Sequence, residues 1–308
     1  MSLFRYFTAL LILLVMLNGL WAAGVIPAKS LQLDVYFQTD KEIVKAMSFN
    51  IRYGTAGDGE NSWLYRRKMV FKLIADQGAD IVGLQEALSF QILEIQTALS
   101  GYSHVTVGRD DGKAKGEHCT IMFRKDRFDL AETGTFWFSD TPEEVCSTSW
   151  GNGICRICTW AKLTEKETNR QLYVYNVHLD HQSQESRVKS TALLAKQIAE
   201  RGDNLPVIIM GDFNMDLENE GMKFLLAEES SCPIDLIHAW QTLNPDNLNL
   251  RTFHGFEGGI NGRMIDHILV EPTTEVLAAS IIRYNENGRY PSDHYPVTAM
   301  TKLSPTTK

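Results

Sequence analysis

Six stretches of this 308-residue chain, far apart in sequence, place a carboxylate, an amide or an imidazole at one end of an apolar run. Asn50 follows KAMSF, Glu86 follows ADIVGLQ, His178 and Asp180 end LYVYNVHLD, and Asp212 and Asn214 end PVIIMGDFN. Asp266 enters MIDHILV, and Asp293 with His294 precedes YPVTAM. Side chains of these types suit hydrolysis assisted by an oxygen-ligated cation, and the sequence offers no His/Cys ligand cluster of the kind that takes zinc. Each station alone has a plainer reading: SFN as a strand edge, Glu86 as an exposed acid at a helix start, Asp212 or SDH as a helix cap. Their joint order is not explained by those readings one at a time.

A rigid sheet can hold such groups beside one another at its strand ends. Alternate residues of a strand share a face, so Asp212 is expected beside Asn214, and His178 beside Asp180 and Asn176. Gly211 is expected to permit the turn out of the strand. The rest of the chain supplies the elements such a site needs. EIVKAMSFNIRYG reads as a strand, NSWLYRRKMVFKLIADQG as an amphipathic helix stopped at Gly78, ADIVGLQEAL as a buried strand and SFQILEIQTALSG as a second helix. YSHVTVGR, HCTIMFRKDRFDLAETGTFWF, ICRICTWAKL and QLYVYNVHLDH are strand-like; SQESRVKSTALLAKQIAERG is a helix, and LPVIIMGDFN another buried strand. GMKFLLAEES and PIDLIHAW read as short helices, RMIDHILVE and EVLAASIIRYN as strands, and YPSDHYPVTAMTKL as a turn and a last strand. Hairpin-rich stretches beside helix-separated strands predict a mixed sheet system covered by helices, with two sheets facing each other.

Composition sets the outer limits. With 44% hydrophobic and 22% charged residues the chain can bury a sizeable core, and intrinsic disorder is excluded. The 38 acids against 30 bases, a net −8, argue against sequence-blind attraction to a long polyanion such as duplex DNA. MSLFR followed by YFTALLILLVMLNGLWAAGVIPA has the layout of a secretory signal, with cleavage expected after Gly24 or Ala28, and is also long enough to remain as a membrane anchor. The expected organisation is a leader or anchor at 1–28, a linker at 29–42 and one domain at 43–303, exported to the periplasm or outside, or held on the membrane by its N-terminal segment. Five cysteines are too few and too scattered for a disulfide scaffold, and their odd number leaves at least one outside any internal pair. Cys155 and Cys158 sit three apart in a strand-like run, face opposite sides, and read as two small core residues.

MSFNIRYG, DIVGLQE, NVHLDH, MGDFN, RMIDHILV and YPSDHYPV together resemble, in order and approximate spacing, the endonuclease/exonuclease/phosphatase superfamily of metal-dependent phosphoesterases with the deoxyribonuclease-like fold. DGENSWLYRRKMV and TFWFSDTPEEVCSTSWGNGICRICTWA look most like bacterial members of mostly unassigned substrate. The resemblance implies an α/β fold, a four-layer α/β/β/α sandwich of two packed mixed sheets flanked by helices, with the site at one end of the paired sheets. It implies Mg²⁺, with Mn²⁺ as a substitute, held by Glu86 with Asn50 and Asp293 beside it. Asp212 and Asn214 are the implied pair that positions the attacking water or holds the scissile phosphate, Asp266 with His294 the carboxylate and imidazole pair, and His178 a second phosphate-facing histidine. Glu117 falls where some nuclease members carry that histidine's carboxylate partner, Arg156 where they carry a phosphate-contacting arginine, and Asp180 joins them as a substrate-binding candidate. His294 is expected as the base, with Asp212 as its rival. Asp58, Asn61, Trp63 and Arg67 border the site in this reading, although Trp63 serves equally well as a core anchor, and SDTPEEVCSTS is either a substrate-facing lid or a solvated loop.

The implied activity is Mg²⁺-dependent hydrolysis of a phosphoester, nuclease-like or phosphodiesterase-like, on nucleic acid, an oligonucleotide or a small phosphodiester. A phospholipid-headgroup or inositol-phosphate phosphoesterase is the alternative, and an inactive binding module of the same fold the third reading. No protein partner can be inferred.

Overall fold

Two six-stranded sheets carry the fold, and their order follows from which apolar runs can pair. In the computed structural model, which describes residues 42–226, 231–247 and 250–303, the first sheet runs β11-β12-β1-β2-β4-β3 and the second β5-β6-β7-β8-β10-β9. The strands are β1 (Ile43–Asn50), β2 (Ile81–Ala87), β3 (Tyr102–Val105), β4 (His118–Arg124), β5 (Phe128–Trp137), β6 (Ile157–Glu165), β7 (Gln171–His178), β8 (Val207–Asp212), β9 (Ile237–His238), β10 (Asp266–Val270), β11 (Glu275–Ile281) and β12 (Val297–Lys302). The α-helices are α1 (Trp63–Gln77), α2 (Ser89–Ala98), α3 (Gln184–Ala199), α4 (Glu220–Leu225) and α5 (Ala239–Leu243). The expected leader at 1–28 and all but the last residue of the expected linker lie outside the described residues. Among the described residues no helix is long and apolar enough to cross a membrane.

Each sheet has a parallel pair at its centre, β1 with β2 and β7 with β8, because α1 and α3 provide the crossovers that parallel strands require. The other registered pairs are antiparallel, so both sheets are mixed. Strand alternation then sorts the apolar residues into layers. Val44, Ala46, Ile81, Ile121 and Phe123 of the first sheet pack against Ala161, Val174, Ile208, Met210 and Ile268 of the second. On the outer face of the first sheet Met47, Phe49, Val82 and Leu84 meet Val70, Leu73 and Ile74 of α1 and Ile92 and Ile95 of α2. On the outer face of the second, Tyr175, Val177, Val207 and Ile209 meet Leu194, Ala195 and Ile198 of α3. This is the expected arrangement of helices, sheet, sheet and helices.

Four details differ from the expectations. PIDLIHAW is not a short helix: it runs into the two-residue strand β9, and α5 begins only at Ala239. HCTIMFRKDRFDLAETGTFWF is two strands in different sheets: β4 ends at Arg124, and after a turn β5 begins the second sheet at Phe128. Gly211 does not serve a turn; it pairs within β8, where an added Cβ would stand 2.1 Å from the Val177 carbonyl oxygen, so glycine is what lets β7 and β8 lie this close. Cys155 lies just ahead of β6 and is joined to Cys146 in a disulfide, while Cys158 is the buried strand residue expected; Cys119, Cys158 and Cys232 are free among the described cysteines. Gly78 ends α1 as expected, at φ +54° with its N–H on the Ile74 and Ala75 carbonyls.

Candidate active site

Alternation along four strands delivers four polar side chains to one place. In β1 the residues facing the opposite sheet are Val44, Ala46, Ser48 and Asn50; in β8 they are Ile208, Met210 and Asp212; in β7 they end at His178 and in β10 they begin at Asp266. The parallel ladders bring His178 opposite Asp212, and the antiparallel one brings Asp266 opposite Asp212. Asn50, His178, Asp212 and Asp266 therefore meet at one end of the layer between the sheets, all buried. Farther in, Gln85 Nε2 donates to Asn176 Oδ1 at 2.6 Å, and Asn176 Nδ2 donates to the Leu84 and Thr120 carbonyls, pinning one sheet to the other beneath the site. Asn176 shares the inward face of β7 with His178, as expected, and serves there as a structural tie beneath the site.

Glu86 reaches the same place by breaking the alternation. An unbroken β2 would send it outward with Val82 and Leu84. Instead the register with β4 shifts between Leu84 and Ala87, and Glu86 takes φ +59°. A bulge re-aims one side chain, and left-handed backbone at a residue with a Cβ costs about 1–3 kcal/mol, which the surrounding structure must overcome. Its carboxylate accepts from Asn50 Nδ2 (3.1 Å) and Tyr53 N (2.9 Å). Asn50 donates through the same nitrogen to Asp212 Oδ2 at 2.9 Å and accepts from Arg52 N through Oδ1, so its amide bridges two carboxylates. Arg52, also left-handed at φ +57°, forks onto Asp58 and reaches to 3.7 Å from Asp293 Oδ2. Burial pushes the Asp293 carboxyl upward, with the charge of Glu86 adding to it against His294 and Arg52.

The second half of the site is an acid, an imidazole and an acid. Asp266 Oδ2 meets His294 Nδ1 at 2.9 Å, and His294 Nε2 stands 3.8 Å from Asp212 Oδ2. Burial opposes charge on this ring, but Asp266, through charge and hydrogen bond, and Asp212 outweigh it and raise His294 to about 10. Burial and the charge of Asp266 push Asp212 up to about 7. The strand ends at Asp212, so the expected side-by-side placement with Asn214 does not arise. Asn214 sits beyond it at φ +53°, gives its backbone N–H to Asp212 Oδ1 at 2.9 Å, and ties its Nδ2 to the Leu179 carbonyl.

On the far side of Asp212, His178 Nε2 is 3.7 Å from Asp212 Oδ2 and 3.1 Å from Arg156 Nη1. Burial and the adjacent Arg156 hold this imidazole well below its ordinary range. Glu117 Oε2 lies 3.7 Å from His178 Nδ1, but both Glu117 oxygens are taken by Arg109, at 2.7 and 2.8 Å. Asp180 accepts from Gln182 N and Ser183 N and lies 3.4 Å from Arg156 Nε, so it is a buried support for Arg156. All eleven residues expected at the site are thus in one hydrogen-bonded or ion-paired region, Asp180 through Arg156 and Glu117 through its 3.7 Å approach to His178.

Of the bordering residues, Asp58 joins the site through Arg52, whereas Trp63 Nε1 and Arg67 Nη1 both turn to Glu94 on α2. Two contributors had no signal in the sequence. Arg66, on the buried face of α1, spends its guanidinium on four backbone carbonyls: Asn61 at 2.8 Å, Ile51 at 2.6 Å, Arg52 at 2.9 Å and Pro291 at 2.9 Å. It thereby holds the loop after Asn50 against the loop before Asp293. Phe253, half exposed, bridges His294 through the backbone and lays its ring 5.0 Å from the imidazole.

The residues present fit a hard divalent cation. Glu86, at the bulge of β2, and Asp293, in the loop before β12, offer carboxylate oxygens, and the Asp293 carboxyl is destabilised as an anion where it stands. Two groups of ligand-type atoms lie within 4.8 Å of one another among the described residues: Asp212, Asp266 and His294, and Asp110 with Cys146 and Cys155. The second has its two sulfurs joined in the disulfide and offers no thiolate.

Two packed mixed sheets with a cluster of carboxylates, amide and imidazole at one end define a class of phosphoester-handling α/β proteins. The sequence profile of the Endonuclease/Exonuclease/phosphatase family matches residues 47–294, and the chain belongs to that family, whose members are phosphoester hydrolases. A family member of Bacteroides thetaiotaomicron is 31% identical with a TM-score of 0.77, the match covering 84% of this chain and 97% of that one. A mannosyl-6-phosphatase of the same organism is 32% identical with a TM-score of 0.75, covering 84% and 99%. The human Nocturnin catalytic domain, at 20% identity and a TM-score of 0.70 over 85% and 95%, shares the fold. A protein of Acanthamoeba polyphaga mimivirus is 28% identical over 183 residues, 56% of this chain and 68% of its own length.

Proposed function

We propose that the protein is a magnesium-dependent phosphoester hydrolase in which Asp212 holds and deprotonates the attacking water. The observation that carries this reading is the convergence on one atom: Asp212 Oδ2 accepts from Asn50 Nδ2 at 2.9 Å and faces His178 Nε2 at 3.7 Å and His294 Nε2 at 3.8 Å. A water proton passes to Asp212 as the new bond to phosphorus forms. The bond to the leaving oxygen breaks, and that oxygen takes the proton of His294 Nε2, which Asp266 keeps charged from the other side of the ring. This assigns the base to the carboxylate and the acid to the imidazole, the reverse of the order expected from sequence. Asn214 fixes Asp212 by its backbone N–H. Glu86 and Asp293, with Asn50 between Glu86 and Asp212, are the residues that would hold Mg²⁺, or Mn²⁺ in its place. An ion held there would supply neutralisation of charge on the phosphoryl oxygens.

The substrate reading is a small phosphoester. The net charge of −8 disfavours long polyanions, and the likeness to a mannosyl-6-phosphatase at 32% identity supports a sugar phosphate monoester over a nucleic acid end. The apolar N-terminal run supports an exported or membrane-held enzyme. The test is turnover of sugar phosphates, aryl phosphate mono- and diesters, oligonucleotides, inositol phosphates and sphingomyelin, with Mg²⁺ and with chelator. Folded protein that turns over none of them in a metal-dependent way is not this enzyme. Glu86→Ala is expected to abolish both metal dependence and calorimetrically measured Mn²⁺ binding; wild-type Mn²⁺ affinity in that variant refutes the ligand assignment.

A further inference from the structure

Arg156 and His181 take no part in the mechanism above, yet they are joined in an unusual way. The buried Arg156 guanidinium meets Asp180 Oδ1 through Nε (3.4 Å), His178 Nε2 through Nη1 (3.1 Å) and His181 Nδ1 through Nη2 (2.7 Å). A guanidinium carries donors only, so both imidazole nitrogens that meet it are acceptors. His178 therefore bears its proton on Nδ1, toward Glu117, and His181 bears its proton on Nε2. One cation fixes two neutral rings in opposite tautomers, and Asp180, anchored by the N–H groups of Gln182 and Ser183, fixes the cation.

The two rings differ in where they stand. His178 is buried beside Asp212, whereas His181 is exposed. Among the described residues the one hydrogen bond of His181 is to Arg156, which leaves its Nε2–H unspent. This donor is oriented from behind by a buried charge and stands one guanidinium away from the ring that faces Asp212. We propose that His181 is a substrate-binding residue that donates Nε2–H to a hydroxyl or anionic oxygen on the alcohol portion of a phosphoester, with Arg156 as the positioning residue that sets its tautomer. The proposal rests on the phosphoester reading of the site.

The test pairs substrates with and without such an oxygen: hexose 6-phosphate against phenyl phosphate, and thymidine 5′-(4-nitrophenyl) phosphate against bis(4-nitrophenyl) phosphate. His181→Ala is expected to raise KM for the hydroxyl-bearing member about five- to tenfold, the worth of one neutral hydrogen bond, with kcat held and the aryl partner within about twofold. Long-range ¹H–¹⁵N spectra of the histidine rings should show His178 as Nδ1–H and His181 as Nε2–H, with Arg156→Gln releasing His178 to the mixed state of a free ring. Equal slowing of both members of a pair, no change in either, or a His178 proton on Nε2 overturns the proposal. Wild-type protein that turns over none of the four compounds sinks the phosphoester reading itself and the substrate role with it, while the ring spectra still report the tautomers.

Discussion

His294 and His178 stand at nearly the same distance from the same oxygen, Asp212 Oδ2, at 3.8 and 3.7 Å, and both are buried. Their electrostatics are opposite. His294 is raised to about 10, and His178 is held well below its ordinary range. The cause lies on the other side of each ring. Asp266 gives His294 Nδ1 an acceptor at 2.9 Å and has no other hydrogen-bonded partner for its Oδ1 among the described residues. His178 also has a carboxylate nearby, Glu117, but that carboxylate is forked onto Arg109, and a second guanidinium, Arg156, donates into the ring. A carboxylate beside a histidine therefore predicts a charged ring only when the carboxylate is not already spent.

The comparison breaks most visibly at Asp266. Asp266→Asn keeps the shape, removes the charge that holds the proton on His294, and is expected to lower kcat about 10²- to 10⁴-fold, the usual worth of a placed general acid. Turnover within tenfold of wild type shows that His294 needs no charged partner. The reverse change sharpens the contrast. Arg109→Gln frees Glu117 to serve His178 as Asp266 serves His294, so the His178 titration followed by NMR should move upward, with about a tenfold change in kcat/KM as the site gains a second cation. A His178 that stays neutral in this variant assigns the suppression to burial and Arg156, with no share for Arg109.

The contrast was half legible in the sequence. Asn50, His178, Asp212 and Asp266 converge because strand alternation runs unbroken to the end of four strands, and alternation is a local property that sequence carries. Glu86 arrives through a bulge and a left-handed backbone, neither of which a pattern of apolar residues encodes. Asn214 was expected on the face of Asp212 by the same periodicity, which stopped applying one residue too early. That two sheets face each other was readable; that β4 and β5 part company at the turn after Arg124 was not, since both halves of that run are equally strand-like. The pairing of Cys146 with Cys155 and the four carbonyl bonds of Arg66 depend on long-range packing, and so does the occupation of Glu117 by Arg109 that separates the two histidines.

Arg66 supplies a control for this reasoning, because its partners are backbone carbonyls that do not titrate. Burial lowers its guanidinium to about 10 without making it neutral at physiological pH. Arg66→Met leaves four carbonyls without their donor, and the expected loss of about 2–4 kcal/mol corresponds to a fall in Tm of roughly 5–10 °C for a domain of this size. The titrations of His294 and His178 should keep their opposite order. If either ring moves past the other, the loops that Arg66 clamps, and not the flanking charges, set the contrast.

The smallest expected effect lies in a third pair of rings, where burial and hydrogen bonds to neutral groups keep both rings neutral. His238 accepts from Gln241 N at Nδ1 and donates from Nε2 to His267 Nδ1 at 2.9 Å, and His267 donates from Nε2 to the Met215 carbonyl at 2.8 Å, just past Asn214. Every ring nitrogen is used, and a further proton has no acceptor to point at. Burial lowers both rings, as it does His178. Their contribution to stability is whole above the unfolded value near 6.5 and is lost as pH falls below it, since only the unfolded chain takes up the proton. His294 acts in the opposite sense, fully stabilising below about 6.5 and losing that contribution as pH rises toward 10. Asp212, Asp293 and Glu117, all raised, also favour the fold as pH falls, so wild type alone does not isolate the relay. The difference between wild type and His238→Gln does: urea unfolding at pH 7.5 and 5.5 should show the variant losing about 1 kcal/mol less over that interval, the worth of one ring one unit below its unfolded pKa. Equal losses in the two proteins indicate that a ring of the relay accepts a proton in the folded state, and hydrogen bonding then ranks below flanking charge in deciding which histidines of this protein stay neutral.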